Sequence, residues 1–259
     1  MGEAVKMLRE LTPTTTPIRT VITQEVPKPL DVRIADKWHS TSGNWRPYFH
    51  SRGIDDAQID RYTLGYREDF QRYSIPCFVE QQEVRGLVLW GIQYRMKPDI
   101  EAKVRATGEK PLRYISEKGS HNHQLFNAAM CKGGLPYCLV IEGPLDAVML
   151  RRYGFPAVAS FQGNNIKKPW DMAWNTYFVD VKTVLVVPDN DENKMGDKFA
   201  TAKVEQIPHS FIKRLPPEVK DVGDLVKPWV QAGESDAQVV KRLSKWLGLP
   251  PIRTLNAVE

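Results

Sequence analysis

The chain has 259 residues, of which 42% are hydrophobic and 26% charged, and its formal net charge is +5. That length supports one large domain or two modest ones with a real apolar core, and the balance excludes a disordered or collagen-like chain. No apolar run approaches the roughly 20 residues a membrane-spanning helix needs, and three cysteines (Cys77, Cys131, Cys138) with no CxxC pair argue against a disulfide framework and for a reducing compartment.

Residues 1–30 contain TPTTTPIRT and VPKPL. Repeated proline disfavours helix and central strand, so a flexible tail or linker is expected, with a short helix at Glu3–Leu11. The opening residues lack an apolar h-region, so no secretory signal is expected. Asp36 to Leu64 reads as helical. WRPYFHSRG ends at Gly53, the usual glycine stop, and Asp55 caps DDAQIDRYT. SIPCFVEQ and VRGLVLWGIQYRM read as strands, the second half-buried by its alternation. Residues 97–124 read as a loop-rich basic segment, and Arg85 as a solvated surface charge. Residues 31–135 are thus expected to form a basic α+β subdomain.

From Pro136 the pattern changes. YCLVIEG is a continuous apolar run, the mark of a strand buried on both faces. PLDAVMLRRYG follows as a helix with Pro144 at its start and Gly154 at its end. PAVASFQG reads as a strand, NNIKKPWDMAWNTYF as partly helical, KTVLVVPDND as a second buried strand, GDKFATAKVEQI as a helix and HSFIKRLPP as a short strand and turn. Strands alternating with helices predict an α/β fold with a mainly parallel sheet over residues 136–230. Residues 231–259 carry SDAQVVKRLSKWLG, an amphipathic helix whose stripe (Val239, Val240, Leu243, Trp246, Leu247) is expected to pack on its own domain.

Both buried runs end in acids. The first gives Glu142 and, at helical spacing, Asp146; the second gives Asp189 and Asp191. In open parallel sheets ligands bind beyond the carboxyl ends of the strands. If the two strands are neighbours, the four carboxylates share one site, and their repulsion calls for a cation. Hard oxygen donors with open positions suit Mg²⁺ or Mn²⁺. Taken singly, either acidic motif is an ordinary strand-end turn; taken together, a site is the better reading.

CLVIEGPLDAVMLRRYGFPAVASFQGNN followed by VLVVPDNDENKMGDKFATA resembles a TOPRIM domain, which is shared by DnaG-type primases, type IA and type II topoisomerases and some nucleases. Its pattern is an apolar strand, Glu-Gly, an acid four residues on, and a second strand ending in Asp-x-Asp. The turn departs from the primases: their glycine follows Asp-x-Asp closely, whereas Gly196 comes after Glu192-Asn193-Lys194-Met195. KDVGDLV resembles the segment that closes the primase site. Asp221 matches its first acid, Asp224 is a further candidate ligand, and Gly223 stands where many primases carry another acid. Residues 47–126, with LGY, the paired strands and LRYISEKGSHNHQLFN, resemble the N-terminal subdomain of the DnaG-type core. Arg95 matches its strand arginine and Arg113 the basic residue before Tyr114. Phe126-Asn127-Ala128 replaces the bacterial Phe-His-Lys segment.

The resemblance implies a TOPRIM domain, a parallel sheet flanked by helices, preceded by the basic primase subdomain. It implies a DNA primase catalytic core of phage or plasmid type that makes short RNA primers on single-stranded DNA from nucleoside triphosphates. Glu142, Asp189 and Asp191 would be catalytic, and Glu142, Asp146, Asp189, Asp191 and Asp221 would hold two Mg²⁺ or Mn²⁺ ions. Arg95, Arg113, Tyr114 and Lys118 would contact nucleotide or nucleic acid. No counterpart of the family's zinc-binding module is expected, because the cysteines are too few and wrongly spaced. No zinc is expected, and a separate zinc-binding module and a replicative helicase are the expected partners, with no membrane. The expected location is the cytoplasm of a bacterium or of a phage-infected host. Two other readings stay open: a Mg²⁺-dependent TOPRIM nuclease, and a template-binding subunit inactive without a partner module.

Overall fold

Residues 28–81, 86–162, 170–190 and 195–252 are described by a computed structural model. The segment before residue 28, with the helix expected at Glu3–Leu11, lies outside these residues, as do Arg85, Gly163, Asp191 and the turn 192–194.

Three short helices come first: α1 (Arg33–His39), α2 (Arg46–His50) and α3 (Asp56–Arg61). Asp55 caps α3 as its side-chain chemistry predicts, its carboxylate accepting from the Gln58 amide at 2.9 Å. Gly53 turns the chain between α2 and α3 at φ +77°, and a Cβ there would meet Met149 and Tyr153 at 3.3 Å. Both the left-handed backbone and the close packing favour glycine.

Strands β1 (Gly65–Arg67), β2 (Arg72–Gln81), β3 (Gly86–Met96) and β4 (Tyr114–Ser116) pair antiparallel in that order. The loop expected over 97–124 contains a helix, α4 (Pro98–Ala106). Pro98 and the acids Asp99 and Glu101 open it, and Lys103 and Arg105 lie in its last turn, an order that suits the helix dipole. Its one buried residue is the charged Glu101, so no apolar stripe announces it.

The second sheet has the order β5-β7-β6-β8-β9. Strands β6 (Cys138–Ile141), β7 (Ala157–Ser160), β8 (Val184–Val186) and β9 (Ser210–Ile212) are parallel, and β5 (Leu125–Phe126) joins one edge antiparallel. Every residue of β6 and β7 is buried, as a sheet covered on both faces requires. Helix α5 (Pro144–Arg152) connects β6 to β7, a 3₁₀ helix over Met172–Phe178 precedes β8, and α6 (Met195–Val204) connects β8 to β9. Helices α7 (Val222–Gln231) and α8 (Asp236–Leu247) follow. Among the described residues no helix is long and apolar enough to cross a membrane.

One apolar cluster runs from Phe49, Ile54 and Tyr73 through Leu139, Ile141 and Leu150 to Leu225, Val239 and Leu243. It welds the antiparallel part to the parallel sheet and the last two helices to both. A capping box of Ser235 and Gln238 starts α8, and the Trp246 indole donates to the Arg214 carbonyl at 3.1 Å. The stripe of α8 is therefore used within the chain. Leu243 is wholly buried in this cluster, so Leu243→Ala should lower unfolding free energy by about 2–5 kcal/mol in a denaturant titration. A loss under about 0.5 kcal/mol, typical of a surface position, would show that α8 is peripheral.

Candidate active site

Strands β6 and β8 pair in parallel with Val140 opposite Val186, so the chain leaves both at the same edge of the sheet. Glu142 follows β6 directly. Strand β8 stops at Val186, so Asp189 arrives around a turn and not by strand alternation. The two strand ends are tied where the Asp189 amide donates to the Glu142 carboxylate at 3.1 Å. Gly196 packs on Asp189: a Cβ there would collide with the Asp189 carbonyl oxygen. The glycine delayed by the long turn thus still returns to the strand end.

Asn190 locks this loop to the segment ahead of α7. Its side-chain amide donates to the carbonyls of Pro216 (2.8 Å) and Val219 (2.7 Å), and its backbone amide to Lys220 (2.7 Å). Lys220 and Asp221 are thereby brought beside the strand ends. Asp221 is also the N-cap of α7, accepting from the Asp224 amide at 2.7 Å; Asp224 itself is exposed and does not line the cleft.

Asp146 lies in the first turn of α5, buried, with Arg52 donating to its Oδ1 at 3.0 Å. Burial pushes this carboxyl up to about 6, with the Arg52 charge opposing and Asp221 adding to the rise. A Cβ at Gly223 would sit 2.7 Å from Asp146 Oδ1 and 2.9 Å from Arg52 Nη2. An acidic side chain at 223 would therefore crowd the Arg52–Asp146 pair, which accounts for glycine there.

The opposite wall is cationic. Arg95 on β3 and Arg113 ahead of β4 both pair with Glu101, at 2.8 Å each, and Arg105 joins at 3.0 Å. Burial alone would raise the Glu101 carboxyl, but hydrogen bonds from Arg105 and Arg95 and the charges around it hold it below the ordinary carboxylate range. Arg72 adds support, donating to the carbonyls of Leu112 (3.0 Å) and Arg113 (3.2 Å). The Arg95 guanidinium lies 5.4 Å from the Tyr114 ring centre, and Tyr114 is 41% exposed, enough to offer a stacking face.

Between the walls is a cleft of about 310 Å³ lined by Arg52, Gln93, Arg95, Arg113, Tyr114, Glu142, Asp146, Asp189, Lys220 and Asp221, among others. Of the residues singled out from the sequence, Arg95, Arg113, Tyr114, Glu142, Asp146, Asp189 and Asp221 meet here. Lys118 is exposed and does not line the cleft. Arg52, Glu101, Asn190 and Lys220 were not foreseen. Lys220 had a signal in the KDVGD segment, whereas the others act through tertiary contacts. Among the described residues no three His, Cys, Asp or Glu side chains converge as a metal-binding group. The donor types at the strand ends, Glu142 and Asp189, are nevertheless the hard carboxylates that Mg²⁺ or Mn²⁺ takes.

No family profile and no curated protein matches the sequence. Solved structures do match. The zinc-binding and RNA polymerase domains of the Aquifex aeolicus primase superpose with a TM-score of 0.60 at 17% identity, over 83% of this chain and 59% of that one; this chain thus spans little more than half of that structure. The DnaG primase catalytic domain bound to single-stranded DNA gives 0.57 at 17% identity, over 87% of this chain and 82% of that one. The RNA polymerase domain of Mycobacterium tuberculosis DnaG gives 0.54 at 15% identity, over 82% and 85%. The chain therefore has the fold of the DnaG-type primase catalytic core, a TOPRIM-containing α/β fold.

Proposed function

We propose that this chain is a DNA primase catalytic core that joins nucleotides into short RNA primers on a single-stranded DNA template. The observation that carries the reading is the cleft itself, in which strand-end acids face arginines and an open tyrosine. A nuclease needs the acids, whereas template-directed joining also needs a second wall to hold nucleotide phosphates and a template base.

Glu142 and Asp189 would hold a divalent ion, Mg²⁺ or Mn²⁺, together with Asp191, and Asp221 would serve a second. A bound ion of this kind neutralises triphosphate charge and lowers the pKa of an attacking hydroxyl. The protein's own groups do the remaining work. The amide of Asp189 fixes the Glu142 carboxylate. Arg52 fixes Asp146 and keeps it as support behind the ligands. Arg113, 44% exposed at its side chain, and Lys220 meet phosphate oxygens, and Tyr114 stacks on a base. Glu101 aims Arg95 and Arg113 from behind. Single-stranded DNA is the template and nucleoside triphosphates the substrates. A separate zinc-binding module and a replicative helicase are the proposed partners, in the cytoplasm of a bacterium or a phage-infected host.

The decisive assay incubates the chain with single-stranded DNA, labelled nucleotides and Mg²⁺ or Mn²⁺. Extension products support the proposal, cleavage of the DNA supports a nuclease, and activity only with an added zinc-binding protein supports a template-binding subunit. Asp189→Ala should abolish incorporation while the thermal midpoint stays within a few degrees of the parent; surviving synthesis sinks the ion-site assignment. Arg113→Ala should weaken single-stranded DNA binding and lower the salt slope of log K by about 0.7, one phosphate contact; an unchanged slope removes Arg113 from the interface. Glu101→Ala leaves Arg95 buried without its acid, so a stability loss of about 3–5 kcal/mol is expected near neutral pH. Because the Glu101 carboxyl is depressed in the fold, its contribution is present above the carboxylate's ordinary value and lost as pH falls through the folded one. The penalty of Glu101→Ala should therefore shrink in acid, and a penalty independent of pH would contradict this.

A further inference from the structure

Away from the cleft, a second pocket of about 330 Å³ is lined from α3, β2, β3, β5 and α5. It shares no lining residue with the cleft, although both draw on α5, where Asp146 lies near the start and Arg151 near the end. Its walls are apolar: Pro76 and Phe78 from β2, Leu87 from β3, Phe126 from β5 and Met130 beyond it. Leu87 is 60% exposed, an aliphatic side chain facing water beside a formed pocket. Three cations, Arg61, Lys132 and Arg151, complete the lining, and among the described residues that line it there is no acid. Arg151 is buried. Burial pulls its guanidinium below the ordinary value, Tyr62 opposes this, and the charge of Arg61 adds to it. Lys132 pairs with Glu80 at 2.6 Å, and both side chains keep substantial exposure.

The charges call for an anion, and the walls decide its kind. A nucleobase needs an open aromatic face and partners for its edge. Phe126 is only 2% exposed, stacked between Tyr62 and Phe161 at 5.7 and 6.1 Å between ring centres. The Tyr62 hydroxyl donates to the Asn127 side chain at 3.0 Å, and the Asn127 side-chain nitrogen to the Ala157 carbonyl at 2.9 Å. An apolar side chain asks for neither. It needs only contact with Leu87, Phe78 and Met130, and a carboxylate beside it suits the fork of an arginine. We propose that this pocket docks a short acidic segment of a partner protein, with one apolar side chain seated against Leu87 and Phe78 and neighbouring carboxylates on Arg61, Arg151 and Lys132. The pocket stands apart from the strand-end acids, so the inference does not depend on the chemistry assigned to them. A partner held there leaves the cleft open, so the chain can be tethered to another protein while its own site works.

The test follows the fluorescence anisotropy of a dye-labelled peptide, Glu-Asp-Glu-Leu-Phe, on the whole chain. One control peptide replaces Leu-Phe by Ser-Ser, a second replaces the acids by lysine, and an unlabelled oligothymidylate serves as competitor. The proteins are the parent, Arg61→Glu and Leu87→Asp. Both positions are exposed, so the thermal midpoint should stay within a few degrees of the parent's. The labelled peptide is expected to bind the parent, each control peptide at least about tenfold more weakly, and oligothymidylate is expected not to displace it. Each substitution should weaken binding about tenfold or more, because it removes one contact and sets a carboxylate against the acids of the peptide. Absence of peptide binding to the parent, or parent-like binding by either variant, overturns the proposal. Equal binding of the Ser-Ser peptide overturns it too, since surface charge alone would then hold the acids. Displacement by oligothymidylate also overturns it, because the pocket would then serve nucleic acid and not a protein segment.

Discussion

Val140 faces Val186 across two parallel strands, and the layout of the site follows from that register. Parallel neighbours end at the same edge, so whatever follows each strand is delivered to one place. The hydrogen bond from the Asp189 amide to Glu142 is possible only because neither strand overshoots the other. A one-residue slip in β8 would turn its apolar residues to the wrong face and withdraw the amide from the glutamate. The apolar packing of Cys138–Ile141 thus sets the position of a polar site that lies outside it.

The second constraint is charge. The cleft holds acids on one wall and arginines on the other, and neither wall is left to balance itself through bulk water. Glu101 is placed behind the arginines and Arg52 beside Asp146, so each wall contains a charge of the opposite sign. Such pairs contribute little net stability when buried, because desolvation consumes most of the attraction. They do fix side chains in one rotamer, and a cleft built from opposed charges depends on that alignment.

Much of this was legible in the sequence, and the rest was hidden for identifiable reasons. The buried strands were readable because their apolar runs are unbroken, and the caps at Asp55 and Ser235 because capping is local chemistry. The placement of Glu142 and Asp189 in one cleft was readable because each follows a buried run of a parallel sheet. Helix α4 escaped notice because Glu101 takes the place of its apolar stripe. Arg52 reads as the end of a short helix, and only folding brings it to Asp146, 94 positions away. Asn190, between two acids, looks like part of the acidic motif, whereas its amide is spent on Pro216 and Val219. Lys203 reads as one more cation on a helix of mixed polarity, yet the fold leaves only 3% of it exposed. Burial is a property of the assembled fold, and no window of sequence contains it.

The Asn190 tether also bears on how the protein comes into being. A nascent chain that has passed Asn190 already carries Glu142 and Asp189, and the strands that precede them can pair. Asn190 has no partner for its side-chain amide until residues 216–219 leave the ribosome, and Asp221 follows soon after them. Assembly of the acidic wall therefore waits for most of the chain to be translated. During that interval an incomplete product holds its acids without the contacts that place them.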